Sequence, residues 1–323
     1  MWRHLASRGG IATCNLQLET LDSKPETHRV RWKKITLVGV GLLGGSLGLA
    51  LRKRRLAGSV VGFVRRAASV AECNRVGAVN LATRDLQSAV AEAELIVLCT
   101  PIAQMRALVA QMLPVLAPGA IITDVGSVKG SVVRDLESLV AKAGAHFVGS
   151  HPMAGSEKTG VGAARKDLFV NAVCVITPTK NSNRSAVRKV EQLWKSVGSR
   201  VLRLTPQAHD DLVSRSSHLP HVVAAQLANC VLSPEHPKEQ GMLCANGFRD
   251  TTRIAAGSPE MWRDIAVANS ENLSRALGVF MKGLSDFRRA LKSGDDRAIA
   301  KFFEAARERR DRWSRSAGSP SPE

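Results

Sequence analysis

Apolar positions first recur in alternating strand and helix patterns and then, from about residue 205, almost only at helical spacing. Residues 35–38 (Ile-Thr-Leu-Val) read as a short buried strand, and Leu43, Leu47, Ala50 and Leu51 then fall on one face of a helix. Further apolar runs predict strands at 59–64, 95–99, 120–124 and 146–149, with helices over 104–116 and 128–143. Runs that are apolar on both faces and separated by helices point to a parallel sheet covered on both sides. Residues 170–176 and 201–204 add strand patterns around an amphipathic helix at 185–197, which carries Val187, Val190, Leu193, Trp194 and Val197.

The pattern changes at Thr205-Pro206, where threonine suits a helix N-cap and proline the first helical position. Helices are predicted beyond it over 222–232, for roughly thirty residues from the Gly257-Ser258-Pro259 break, and over 296–312. The sequence therefore predicts a doubly wound α/β domain in residues 34–205 and an all-α domain in 206–313. Residues 1–33 and 314–323 are predicted to be a disordered extension and a disordered tail.

Between the first strand and the first helix stands Gly39-x-Gly41-x-x-Gly44. Strand, tight turn and helix in this order are the context that a dinucleotide fingerprint demands. Glycine allows the turn, lets the backbone approach a pyrophosphate and packs the helix on the strand. The free N–H groups at the helix start, around Leu42, Leu43 and Gly44, then face the phosphates. The domain is accordingly expected to be Rossmann-type. Ligands in such sheets lie beyond the carboxyl ends of the strands, which puts Thr100, Pro101, Gly126, Ser127 and Lys129 on the cofactor side. Where a NAD-preferring fold places an acid to hold the ribose 2′-hydroxyl, Val64 is followed here by Arg65-Arg66. Two guanidinium groups suit a 2′-phosphate, so NADP is the expected cofactor and NAD the alternative.

Composition narrows the class. The 323 residues carry a net charge of +18, from 46 basic and 28 acidic side chains, yet aromatics make up only 4% and tyrosine is absent. Basic clusters without interleaved aromatics or a reader motif are read as solvated helix ends and an attractive field for anionic ligands, not as a specific nucleic-acid surface. No apolar run approaches the ~18 residues of a membrane span. Six scattered cysteines without C-x-x-C pairing suggest reduced thiols and a cytoplasmic location.

The strand at 146–149 leads into Ser150-His151-Pro152-Met153-Ala154-Gly155-Ser156-Glu157, expected to be a loop at the active edge. Histidine titrates near neutrality and can accept a hydroxyl proton while a hydride leaves the same carbon, which makes His151 the candidate base. His218 and His221 open a later helix; no third ligand is near, so no metal is predicted. Arg253 is a candidate carboxylate clamp, with a salt bridge to an acid such as Asp250 as the other reading.

Together the segments G-V-G-L-L-G-G-S, D-V-G-S-V-K (124–129), H-P-M-A-G-S-E (151–157), S-H-L-P-H (217–221) and G-F-R-D-T-T-R-I (247–254) resemble the prephenate/arogenate dehydrogenases of tyrosine biosynthesis. The resemblance covers about residues 34–312 and implies a Rossmann-type domain followed by a helical domain that forms a homodimer. It implies that His151 accepts the ring C4-hydroxyl proton and that Ser127 orients it. Ser156 and Glu157 would line and gate the pocket, and His218, His221 and Arg253 would hold or surround the substrate. The implied reaction is oxidative decarboxylation of prephenate to 4-hydroxyphenylpyruvate, with arogenate as the alternative substrate. Asp210 and Asp211 are the acids that could meet an arogenate ammonium. Two other readings are another NADP-dependent hydroxyacid dehydrogenase, which would present a catalytic lysine in the helical domain, and a non-catalytic nucleotide or nucleic-acid binder, which leaves His151, His218 and Arg253 without roles.

Overall fold

The computed structural model describes residues 31–156 and 158–318. The predicted terminal extension up to residue 30, the last five residues of the predicted tail, and Glu157 lie outside them. The alternating region comprises β1 (Trp32–Val38), α1 (Leu42–Lys53), β2 (Ala57–Phe63), α2 (Ala67–Val76), β3 (Leu81–Thr83), α3 (Leu86–Val90), β4 (Leu95–Leu98), α4 (Ile102–Met112), β5 (Ile121–Asp124), α5 (Gly130–Ala141), β6 (His146–Pro152), β7 (Val173–Thr177), α6 (Arg184–Ser196) and β8 (Arg200–Arg203). All eight strands join one sheet in the order β3-β2-β1-β4-β5-β6-β7-β8. Two apolar clusters cover its faces, one built around Ile35, Leu37, Leu47, Leu95 and Trp194, the other around Val38, Ile96, Leu98, Met105 and Phe147.

The sheet corrects three expectations. It starts at Trp32, not after residue 33: the two lysines hide the strand, but Lys33 faces out and the Lys34 ammonium donates to the Ala91 carbonyl at 2.5 Å. Strand β7 runs antiparallel to β6, so the sheet is mixed and not wholly parallel. Strand β6 also continues through His151 and Pro152, because pairing of Ser150 with Ile176 and His151 with Val175 extends it into the stretch expected to be a loop.

The helical region follows as α7 (Pro206–Val213), a π turn (Ser214–His218), α8 (Leu219–Val231), α9 (Lys238–Met242), α10 (Asn246–Thr252), a 3-10 turn (Arg253–Ala256), α11 (Pro259–Ala268), α12 (Ser270–Ser293) and α13 (Asp296–Gly318). Thr205 caps α7 by accepting from the Ala208 N–H, and Ser258 caps α11 by accepting from Met261. The single helix expected after Pro259 is broken at Asn269, and the last helix runs past residue 312 to Gly318. None of the described helices is long and apolar enough to cross a membrane. The outer helices leave Val279, Met281, Leu284, Phe303 and Trp313 exposed, an apolar surface.

Candidate active site

The glycine turn lies where the strand order reverses, between the carboxyl ends of β1 and β4. Gly39 has φ +97°, and a Cβ there would sit 2.8 Å from the Cys99 carbonyl oxygen. A Cβ on Gly44 would strike the Gly39 carbonyl, so α1 packs on β1 only as glycine allows. Gly41 instead faces open space. Leu42 and Leu43 begin α1, whose first N–H groups have no partner within the helix. Thr100 stands beside Gly39, and its buried Oγ1 has no hydrogen-bond partner. Pro101, next to it, is the N-cap of α4. An open cradle, free helical N–H groups and an orphaned hydroxyl together fit a dinucleotide pyrophosphate. Arg65 and Arg66 follow β2 on the same edge and are exposed, with Arg66 in the N-cap position of α2.

Near its end on this edge, strand β6 carries His151, 7% exposed. Its Nδ1 lies 2.8 Å from Nε2 of His209, and Nδ1 of His209 lies 2.8 Å from Oδ1 of Asp210. These contacts settle the tautomers. An ionised Asp210 can only accept, so His209 carries its proton on Nδ1; its Nε2 then accepts from Nδ1–H of His151. His151 is left with an unprotonated Nε2, the form a general base requires. Asp210 is itself held at the amino end of α5, accepting from the backbone N–H groups of Lys129 and Gly130, each at 2.7 Å.

Burial is the largest cause that holds His151 well below its ordinary pKa near 6.5, followed by the fields of His209, Lys129 and His218. His209 is also lowered, by burial above all, although its hydrogen bond to Asp210 opposes this. His218 is lowered to about 4, again mainly by burial. Its Nδ1 accepts from the Asn269 amide at 3.2 Å, and that amide also donates to the Asp210 carbonyl at 2.9 Å.

Beside His218 lies a cavity of about 210 Å³, lined by His221, Val222, Ile254, Trp262, Ile265 and Leu273 among others. His221 stacks on Trp262 with ring centroids 3.7 Å apart, and its Nδ1 donates to the Ser217 carbonyl. Arg253, exposed at the start of its 3-10 turn, is near enough that its charge disfavours protonation of His221. The cavity thus has an apolar wall, two imidazoles and an arginine close to one end.

Several expected placements change. Ser127 lies on the correct edge, but its side chain makes no hydrogen bond to His151; the orienting partner is His209. Ser156 is exposed, with its Oγ accepting from the Lys158 N–H. Asp210 is committed to His209 and α5, and Asp211 pairs with Arg215 near the surface, so neither is placed for a substrate ammonium. Sequence reading also missed Asn269 and the role of Lys129, which is buried in an ion pair with Asp124 and does not face a cofactor. His218 and His221 are engaged with Asn269 and Ser217, and among the described residues no three or more His, Cys, Asp or Glu side chains are grouped so that they could hold a metal ion.

Comparison with known proteins agrees with this layout. Residues 47–203 match the family model described as prephenate dehydrogenase, nucleotide-binding domain, and residues 205–305 match prephenate dehydrogenase, dimerization domain. A prephenate dehydrogenase of Bacillus subtilis is 34% identical over 86% of this chain and 75% of its own length. A cyclohexadienyl dehydrogenase of Zymomonas mobilis is 33% identical over 86% and 95%. Among solved structures, the prephenate dehydrogenase of A. aeolicus in complex with hydroxyphenyl propionate and NAD⁺ superposes with a TM-score of 0.80, at 30% identity, covering 86% of this chain and 98% of that one.

Proposed function

The chain belongs to the prephenate/arogenate dehydrogenase family, and on that premise we propose that it oxidises prephenate with NADP⁺, using His151 as the proton acceptor. The observation that carries this reading is the relay from His151 through His209 to Asp210, which leaves one bare imidazole nitrogen at the cofactor edge of the sheet. When bound, the oxidised nicotinamide supplies the acceptor for the hydride that leaves C4.

The protein has to place the substrate and take one proton. Prephenate is a dianion with a carbinol carbon para to a quaternary, carboxylate-bearing carbon. Arg253 acts as the carboxylate clamp, and His218 and His221 surround the ring at the cavity. His151 Nε2 removes the C4-hydroxyl proton, and the positive charge it gains is shared toward His209 and Asp210. The substrate's carboxylates oppose the fields of Lys129 and His218, which strengthens His151 as a base once substrate is bound. Loss of the C4 hydride leaves a dienone that expels carbon dioxide and becomes aromatic, so the step does not reverse. Ser127, Ser156 and Glu157 remain proposed substrate contacts on the family motifs alone.

A keto acid fits this cavity better than an amino acid, since its lining among the described residues contains no carboxylate to meet an ammonium. Specificity constants for prephenate and arogenate with the same cofactor test the choice: prephenate should be preferred, and a tenfold preference for arogenate would overturn it. The exposed arginines after β2, with no acid in the place that would repel a 2′-phosphate, support NADP⁺. Replacing Arg65 and Arg66 together by alanine should raise KM for NADP⁺ and change that for NAD⁺ little; equal effects on both cofactors would refute the assignment. A second copy of the chain is the proposed cover for the apolar face around Val279, Phe303 and Trp313, in keeping with the matched dimerization domain.

A further inference from the structure

We infer that Lys129 is a positioning residue for this reaction: its buried ammonium fixes the strand that carries His151 and places a fixed positive charge close to that imidazole. The inference rests on the reading of His151 as the proton acceptor. Nothing in the family match or in the motifs assigns this lysine a task.

The side chains of Lys129 and Asp124 are both fully buried. Removing two charges from water costs several kcal/mol per ion, which a loose ion pair does not recover. Here the remaining hydrogen-bonding capacity is taken up by strand β6 and by the Gly126 N–H, which donates to Asp124 Oδ2 at 2.9 Å. The Lys129 ammonium contacts Asp124 Oδ2 and donates to the Ser150 carbonyl at 3.0 Å. Asp124 accepts from the Ser150 N–H at 3.1 Å through its other oxygen. Ser150 directly precedes His151, so the pair grips the backbone next to the base. The backbone N–H of Lys129 meanwhile donates to Asp210, the residue that orients His209. Both supports of His151, its strand and its imidazole partner, therefore meet at one lysine.

The ammonium also acts through its field. The charged and titratable groups facing His151 are Lys129 and Asp124 from β5 and the loop after it, His209 and Asp210 from α7, His218 from the π turn, and Cys174 from β7. Lys129 is the one fixed cation in that set, and it disfavours protonation of both His151 and His209. A purely structural ion pair would hold the strand without this electrostatic consequence for the base.

The test is the ¹⁵N titration of His151 in the full-length protein, assigned by loss of its signal in His151→Asn. Wild type is compared with Lys129→Met and with the double substitution Asp124→Asn/Lys129→Met. The single change strands Asp124 as a buried, unpaired charge; the double change is neutral and close in volume, so it carries the test if the single variant does not fold. In both variants His151 is expected to take up its proton at higher pH than in wild type, less so in the double variant, which also loses the opposing charge of Asp124. The acid limb of kcat/KM should move with it, costing tenfold in rate below the limb for each pH unit moved. An unchanged His151 titration in the folded double variant overturns the inference. Full activity in His151→Asn would instead refute His151 as the base, whatever the titrations show.

Discussion

Replacing His151 by asparagine is expected to lower kcat by about 10²-fold or more while leaving the fold and cofactor affinity intact. Asparagine keeps a polar group of similar reach facing His209, so strand β6 loses no pairing and the glycine turn is untouched. It has no basic nitrogen, so the C4-hydroxyl proton would have to leave to water. The loss should therefore fall on kcat much more than on KM, because the removed interaction strengthens only as the proton moves. A variant that retains full kcat with an unaltered pH profile would show that another group accepts the proton.

The second large effect concerns stability in acid. His218 has a folded pKa of about 4 against an ordinary value of 6.5, so the unfolded chain binds the proton more readily than the native one. Above pH 6.5 neither state is protonated and the difference has no effect. As pH falls from 6.5 toward 4 the unfolded state gains protons first, and native stability declines through that window. At pH 4.5 this single group accounts for about 2–3 kcal/mol. His151 and His209, lowered for the same dominant reason, act in the same direction. Urea unfolding at pH 7 and pH 4.5 should show the decline, and His218→Gln should shrink the difference between the two pH values. An equal decline in the variant would mean that the loss comes from groups other than His218.

What the sequence reveals and what it hides follow from distance along the chain. The glycine turn was legible because strand, turn and helix are contiguous, and Gly39 and Gly44 answer local steric needs. Thr205 and Ser258 were legible as caps for the same reason. The partner of His151 was not, because His209 lies 58 residues away and reaches it only once α7 docks on the sheet. Asn269 was hidden inside what reads as one continuous helix. Its side chain bonds the Asp210 carbonyl and His218, and the helix breaks where it does so. Lys129 misled the reading: a lysine after a strand at the ligand edge is expected on the cofactor side, whereas a buried Asp124 five residues earlier captures it. The antiparallel β7 was equally invisible, since an apolar run carries no direction.

The most direct test of His151 as the base is the pH dependence of kcat/KM for prephenate at saturating NADP⁺. This profile reports the ionisation of the essential base in the enzyme before substrate binds. Burial and the neighbouring Lys129 and His218 hold His151 well below 6.5, so the acid limb should lie below that value and the rate should stay flat from there through pH 8. An acid limb at or above about pH 7 would contradict a buried, tautomer-locked His151 as the proton acceptor.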